Sequence, residues 1–182
     1  MVHQYQHKVR VGVVIIDEAG VLLVQQNNKP FWVFPGGTLE PGEGLFDCGI
    51  REIDEELTLS IEIKKILYLA DFVIDSTSLQ SEAQKQASQK PIKEERLDTA
   101  AQEIKHTVDI FLHGSLIKNV KSSSVILSQD ENLNAFGWFS LEKLKKLPVK
   151  PAIVQRKLIA DWEISPSLSQ SECLYLGIYG PD

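Results

Sequence analysis

Between Gly36 and Leu59 the chain reads GGTLEPGEGLFDCGIREIDEELTL, a glycine- and proline-rich loop running into a strongly acidic helical segment. The ten residues PGGTLEPGEG hold two prolines and four glycines, a composition that predicts irregular backbone there. A helix is expected over Leu45–Leu57, carrying Glu52, Glu55 and Glu56 within two turns. Like charges three and four residues apart on a helix repel, each pair costing roughly 0.2–0.5 kcal/mol. Either that face is simply solvated or a cation belongs there.

Advancing about 100° per residue from Phe46 places Ile50, Ile53 and Leu57 close to it, an apolar stripe suited to packing on a sheet. The three glutamates fall on the opposite side of the same wheel. Arg51 lies between the two faces, within reach of Glu55 and of Glu43 in the loop. Clustered carboxylates beside a loop whose glycines let backbone carbonyls approach an ion suit a hard divalent cation, Mg²⁺ or Mn²⁺.

Around this stretch the chain mixes strands and helices without a βαβ rhythm. KVRVGVVIID and VLLVQQ, joined at DEAG, read as a hairpin, and FWVF as a short strand. IEIKKILYLADFVID, HTVDIFLHGSLI, NAFGWF and ECLYLGIY are further strands, the last an expected edge strand that could close its own sheet or pair with another chain. SLEKLKKL and PAIVQRKLIADW read as helices, the second opened by Pro151 in its first turn. The expected fold class is α/β of the α+β type, a layered α/β/α sandwich on a mixed sheet. We expect one domain over residues 1–182, with a polar, flexible insertion at about 76–102.

Composition narrows the function. A formal net charge of -6 argues against a surface built for nucleic acid or an anionic membrane. An anionic substrate would then need a metal or a local basic patch. The two cysteines, Cys48 and Cys173, form no zinc or disulfide spacing, and Cys48 reads as a small buried hydrophobe. The polar amino terminus lacks the apolar core of a signal peptide, and no apolar run approaches the roughly 20 residues that span a bilayer. A cytoplasmic location is expected.

From Gly37 the chain shows Gly, five residues, Glu43, seven residues, then REIDEELTL from Arg51 to Leu59. This resembles the Nudix box, Gx5Ex7REUxEExGU with U aliphatic, at every position except Thr58, which stands where the family has glycine. WVFPGG and GWFSLEKLKKLP also resemble segments common in that family. The resemblance implies metal-dependent hydrolysis of a pyrophosphate linkage in a nucleoside diphosphate joined to another group. The alternative is a Nudix-fold nucleotide sensor that has lost catalysis. It implies Glu52 and Glu56 as metal ligands, with Glu55 a third ligand or the base for the attacking water, and the Gly36 carbonyl as a further oxygen. Arg51 and Glu43 would pair and position the loop.

Beyond the box, Glu131 or Asp130 in SQDENLNAF is a candidate extra metal ligand or base, against an ordinary acidic turn. Trp32 and Phe34 could stack a nucleobase or pack in the core. Arg10, Lys64 and Lys65 are expected to be solvent-exposed, with phosphate contact the alternative, and His106 and His113 flank a strand. The proline and tyrosine that mark some ADP-ribose and diadenosine-polyphosphate members have no counterpart in FVIDSTS. Substrate choice is therefore expected to rest on the insertion and the carboxy-terminal segment. The partner is a small nucleotide, and a homodimer is allowed without being specified. A glycine at a helix end usually turns left-handed, so Thr58 should either end the helix differently or carry strain. Gly49, a weak helix former, is expected to serve close packing.

Overall fold

The computed structural model describes residues 4–27, 29–75, 103–127 and 133–180. The expected insertion at 76–102, and Asp130 and Glu131, lie outside the described residues. Nine strands are present among them: β1 (Gln4–Asp17), β2 (Gly20–Gln26), β3 (Trp32–Val33), β4 (Gly36–Thr38), β5 (Ile61–Asp75), β6 (Glu103–Leu116), β7 (Leu133–Phe139), β8 (Val149–Lys150) and β9 (Leu174–Tyr179). Helix α1 spans Leu45–Leu57, α2 is the single turn Leu141–Leu144, and α3 spans Ala152–Ile164. The strands run in the order β8-β3-β2-β1-β6-β5-β9, with β4 on β1 and β7 on β2. β1–β6, β3–β8 and β5–β9 are parallel and the remaining pairs antiparallel, so the sheet is mixed.

Alternation along β1 and β2 builds the layers, since successive side chains leave a strand on opposite faces. Val13, Ile15, Leu22 and Val24 pack with Ile53 and Leu57 of α1. Val14, Val21 and Leu23 join the opposite core with Val154 and Leu158 of α3. Helices thus cover both faces, as the α/β/α reading expects. Each fully buried side chain of this size stabilises by roughly 1.5–3 kcal/mol. Among the described residues, no helix is long and apolar enough to cross a membrane.

The edge of β1 changes partner along its length. β2 pairs with it at Ile16–Val21 and Asp17–Gly20, beside the hairpin turn. Further back, β4 takes that edge, with Arg10 opposite Thr38 and Gly12 opposite Gly36. The PGGTLEPGEG segment is therefore partly a strand, contrary to its composition. Gly36 adopts φ +139°, and a Cβ on it would lie 2.1 Å from the Val11 carbonyl oxygen. The glycine that argued against regular structure is what permits the pairing.

Helix α1 has the expected bounds, but only Ile53 and Leu57 of the expected apolar stripe are buried. Phe46 and Ile50 are 42% and 40% exposed, whereas Cys48, Gly49, Ile53 and Leu57 are buried. Gly49 is the reason: a Cβ there would sit 3.0 Å from Leu112 Cδ1 and 3.2 Å from Val13 Cγ2. Small residues let the helix sit down on the sheet through its Cys48–Gly49 side. That rotation brings Glu52 and Glu56 inward to half-buried positions, while Glu55 stays exposed. Pro151 also stands one residue earlier than expected, at the N-cap of α3.

Thr58 caps α1 at φ 48°, ψ 44°, its N–H donating to the Asp54 carbonyl. It takes the left-handed conformation glycine would take, so the strained alternative holds. That conformation costs a β-branched residue roughly 1–2 kcal/mol. Glycine relieves it but loses about 0.4–1 kcal/mol through its freer unfolded chain. Thr58→Gly is expected to raise stability by about 0.5–1 kcal/mol in urea denaturation; an unchanged or lower midpoint would contradict the strain.

Candidate active site

The site is assembled where α1 meets β4. The Gly36 N–H donates to Glu56 Oε2 at 3.0 Å, tying the strand to the last turn of the helix. Glu52 lies against Gly37, so closely that a Cβ there would fall 2.3 Å from Oε1. The GG pair thus carries the two inward-facing carboxylates on bare backbone.

Arg51 ties the remaining acids together. Its Nε donates to Glu43 Oε1 at 2.7 Å and a terminal nitrogen to Glu43 Oε2 at 3.0 Å, a bidentate clamp from helix to loop. The other terminal nitrogen reaches Glu52 Oε1 at 2.9 Å and Glu55 Oε2 at 3.0 Å. A longer bond to the Thr38 carbonyl, 3.3 Å, reaches β4 as well. The Glu43 hydrogen bond above all pushes the guanidinium further up in pKa, so it stays charged. Cys48, buried beneath, is inert as a thiol: burial, then the Glu43 charge, pushes it up to about 12.

The set of carboxylates and a backbone carbonyl is hard in character and fits a hard divalent cation in kind. Among the described residues, however, no three His, Cys, Asp or Glu side chains converge on one point to hold an ion. Arg51 draws Glu52 and Glu55 to itself instead, which leaves Glu52 at 14% and Glu55 at 59% side-chain exposure.

Beside these acids opens a cleft of about 870 Å³, lined among others by Lys8, Arg10, Gly36, Gly37, Glu52 and Glu56. A smaller cavity of about 290 Å³ adjoins it, sharing Arg10, Gln26, Gly36 and Phe72. Of the other residues singled out in the sequence, Phe34 lines the smaller cavity. Trp32 lines neither; it packs edge-on against Phe139 with ring centroids 4.7 Å apart. Lys64 pairs with Glu62, and Lys65 donates to the Ser169 and Ser171 carbonyls, both away from the cleft. His106 pairs with Asp71 at 2.9 Å, and His113, its pKa lowered by burial, lines neither space. Sequence reading missed Asp109, Phe111 and Tyr179 in the smaller cavity. The one available signal was an aspartate inside the apolar strand HTVDIFLHG.

The clamp has a pH signature. The Arg51 hydrogen bond holds the Glu43 carboxyl at about 2, down from its ordinary 4.5. A depressed acid stabilises fully above its unfolded pKa and loses that contribution as pH falls through the folded one. The stability gap between wild type and Glu43→Gln is expected to hold at neutral pH, shrink below 4.5 and close toward 2. Urea midpoints over that range measure it, and a gap independent of pH would contradict the clamp.

Comparison with known proteins agrees with this arrangement. The NUDIX domain model matches residues 6–162. A segment of 65 residues is 40% identical to the nucleoside diphosphate-linked moiety X motif 6 of Mus musculus, covering 34% of this chain and 21% of that protein. Another of 45 residues is 40% identical to the putative 8-oxo-dGTP diphosphatase of Bacillus subtilis, covering 24% and 30%. The matched segments thus span about a fifth to a third of those relatives' lengths. In structure, the chain is similar to a NUDIX hydrolase from Nitrosomonas europaea, with TM-score 0.62, 16% identity and coverage of 98% and 82%. An ADP-ribose pyrophosphatase from Streptococcus suis follows with TM-score 0.58, 19% identity and coverage of 92% and 98%. At such identities the structures share the fold alone. Because the family model takes in most of the sequence, including the loop and helix that build the site, the chain belongs to the Nudix family.

Proposed function

We propose that this protein is a divalent-metal-dependent hydrolase of the pyrophosphate linkage in a nucleoside diphosphate joined to another group. The carrying observation is the inward placement of Glu52 and Glu56, one turn apart, on the bare backbone of Gly36 and Gly37. Glu52 and Glu56 would hold Mg²⁺ or Mn²⁺, with the Gly36 carbonyl and Glu55 as further donors. When bound, such an ion neutralises pyrophosphate oxygens and lowers the pKa of a coordinated water.

The chain's own groups supply the rest. Glu55, the exposed member, would serve either as that further donor or, once it leaves Arg51, as the base that accepts the proton of the attacking water at a carboxylate oxygen. Arg51 and Glu43 keep the loop against the helix, a positioning role. Arg10 and Lys8, both lining the cleft, bring positive charge to the phosphates in a chain that is acidic overall. Water adds to one phosphorus, the bridging P–O bond breaks, and two phosphate monoesters leave. The name of one relative, a putative 8-oxo-dGTP diphosphatase, supports this reaction class without selecting a substrate. The protein would act as one domain in the cytoplasm.

The departure from the box that would favour the sensor alternative is Thr58. Since Thr58 adopts the conformation of the glycine it replaces, that departure leaves the backbone of the site in place.

A panel of nucleoside-diphosphate derivatives with Mg²⁺ or Mn²⁺ tests the reading. Glu56→Gln is expected to lower kcat/KM by at least the ~10–100-fold that loss of an outer-shell partner costs a metal site. Turnover unchanged in Glu56→Gln would remove the ligand assignment. Tight binding without turnover of any compound would favour the sensor.

A further inference from the structure

The cleft beside the acids is large for a pyrophosphate alone, since about 870 Å³ is toward the upper end of small-molecule sites. Its floor is basic where it leaves them. Alternate residues of a strand share a face, so Arg10 and Lys8 of β1 stand with Thr107 and Lys105 of β6, and all four line the cleft. Arg10 is at the acid end, for it pairs with Thr38, next to the Gly37 that Glu52 lies against. Lys8 is two residues further along β1, and Lys105 lies opposite Gln6, two residues further still. At about 3.3 Å per residue and 4.8 Å between strands, the Lys105 backbone is roughly 14 Å from that of Arg10. Two phosphates held at the acids and Arg10 do not extend that far.

The charges on this floor are left for a ligand. Lys64, Lys145 and Lys157 each pair with a carboxylate of the protein. Among the described residues, Lys8 and Arg10 form no such pair, and both are exposed. Apart from Glu52 and Glu56, the acid lining the cleft among those residues is Glu40. The three cations are also donors without acceptors. Phosphate oxygens, which only accept, match such a row, whereas sugar hydroxyls must also donate.

We propose that the group joined to the diphosphate carries a phosphate of its own, held by Lys8 and Lys105. That phosphate either continues the chain, as in a nucleoside triphosphate, or sits on a sugar, and the two sources share the chemistry the lysines read. The identity of the linkage that is cut rests on the hydrolase reading above. The bond broken is the same: the group departs on its bridging oxygen with the further phosphate attached. Where that phosphate continues the chain, the departing group is a polyphosphate instead of a monoester.

The test is equilibrium binding, with Mg²⁺ and at about 0.15 M salt, where exposed charges more than roughly 8 Å apart are largely screened. The ligands are adenosine and guanosine compounds with CH₂ in place of every P–O–P oxygen: the diphosphate joined to glucose, the diphosphate joined to glucose 6-phosphate, and the triphosphate. At least one phosphate-bearing ligand is expected to bind about 10-fold more tightly than the glucose compound, the low end for a hydrogen bond between charged groups. A gap for the triphosphate alone puts the phosphate in the chain, and a gap for glucose 6-phosphate alone puts it on the sugar. Lys105→Gln should narrow the gap several-fold, and adding Lys8→Gln should close it. Lys64→Gln, away from the cleft, should leave it intact. Equal affinity for all three ligands, or a gap that persists in the double variant, overturns the proposal. Because these ligands are not cleaved, a gap that the double variant closes, without turnover of the P–O–P counterparts, would fail only the hydrolase reading. Turnover of those counterparts with no gap would fail only this one.

Discussion

Gly36 leaves no room for a side chain, and the rest of the site depends on that. With Val11 O 2.1 Å from where a Cβ would stand, the chain can lie on β1 here only as glycine. The close approach fixes β4, and β4 fixes two things. It presents the Gly36 N–H to Glu56 and the face of Gly37 to Glu52. It also occupies the edge of β1 that β2 would otherwise continue along, so the sheet divides and a cavity opens beside the acids. One steric constraint thereby sets both the carboxylates and the space next to them.

The electrostatics follow the same economy. Glu43, Glu52 and Glu55 all reach one guanidinium, so repulsion among these acids is offset by Arg51. The bonds are not equivalent. Glu43 holds Arg51 bidentately from the loop, while Glu52 and Glu55 share a single nitrogen. A cation that took Glu52 and Glu55 would leave the clamp to Glu43 standing. The loop would then keep its place while the charges rearrange, which is what a positioning pair must do.

Local pattern made much of this legible. The bounds of α1, the first hairpin and the long strands β5 and β6 follow from periodicity and turn residues. The facing of α1 did not, because a helical wheel weighs side chains by hydrophobicity. Phe46 and Ile50 outweigh Cys48 and Gly49 on such a wheel, yet close packing favours the small pair. The strand at Gly36–Thr38 was hidden for a related reason: glycine content marks freedom of conformation, and only the partner strand decides how that freedom is used. Trp32 and Phe34 were indistinguishable in sequence, and tertiary packing sends one to the cavity and the other against Phe139. Asp109 and Tyr179 meet across 70 residues, a pairing that local pattern does not encode.

That last pair also spans the end of the residues that the family model matches. The family model ends at residue 162, and β9, which carries Tyr179, lies beyond it. The carboxylate helix and its loop therefore lie within the matched residues, while the hydroxyl that meets Asp109 arrives on a parallel strand beyond them. β9 is also held by Tyr175, whose hydroxyl donates to Asp71 at 2.6 Å. Two tyrosines on one edge strand thus anchor to two aspartates on neighbouring strands, and only one of the two contacts faces a cavity. Altering β9 would then change the Tyr179–Asp109 contact and the cavity beside it, and would leave the acids of α1 where Gly36 puts them.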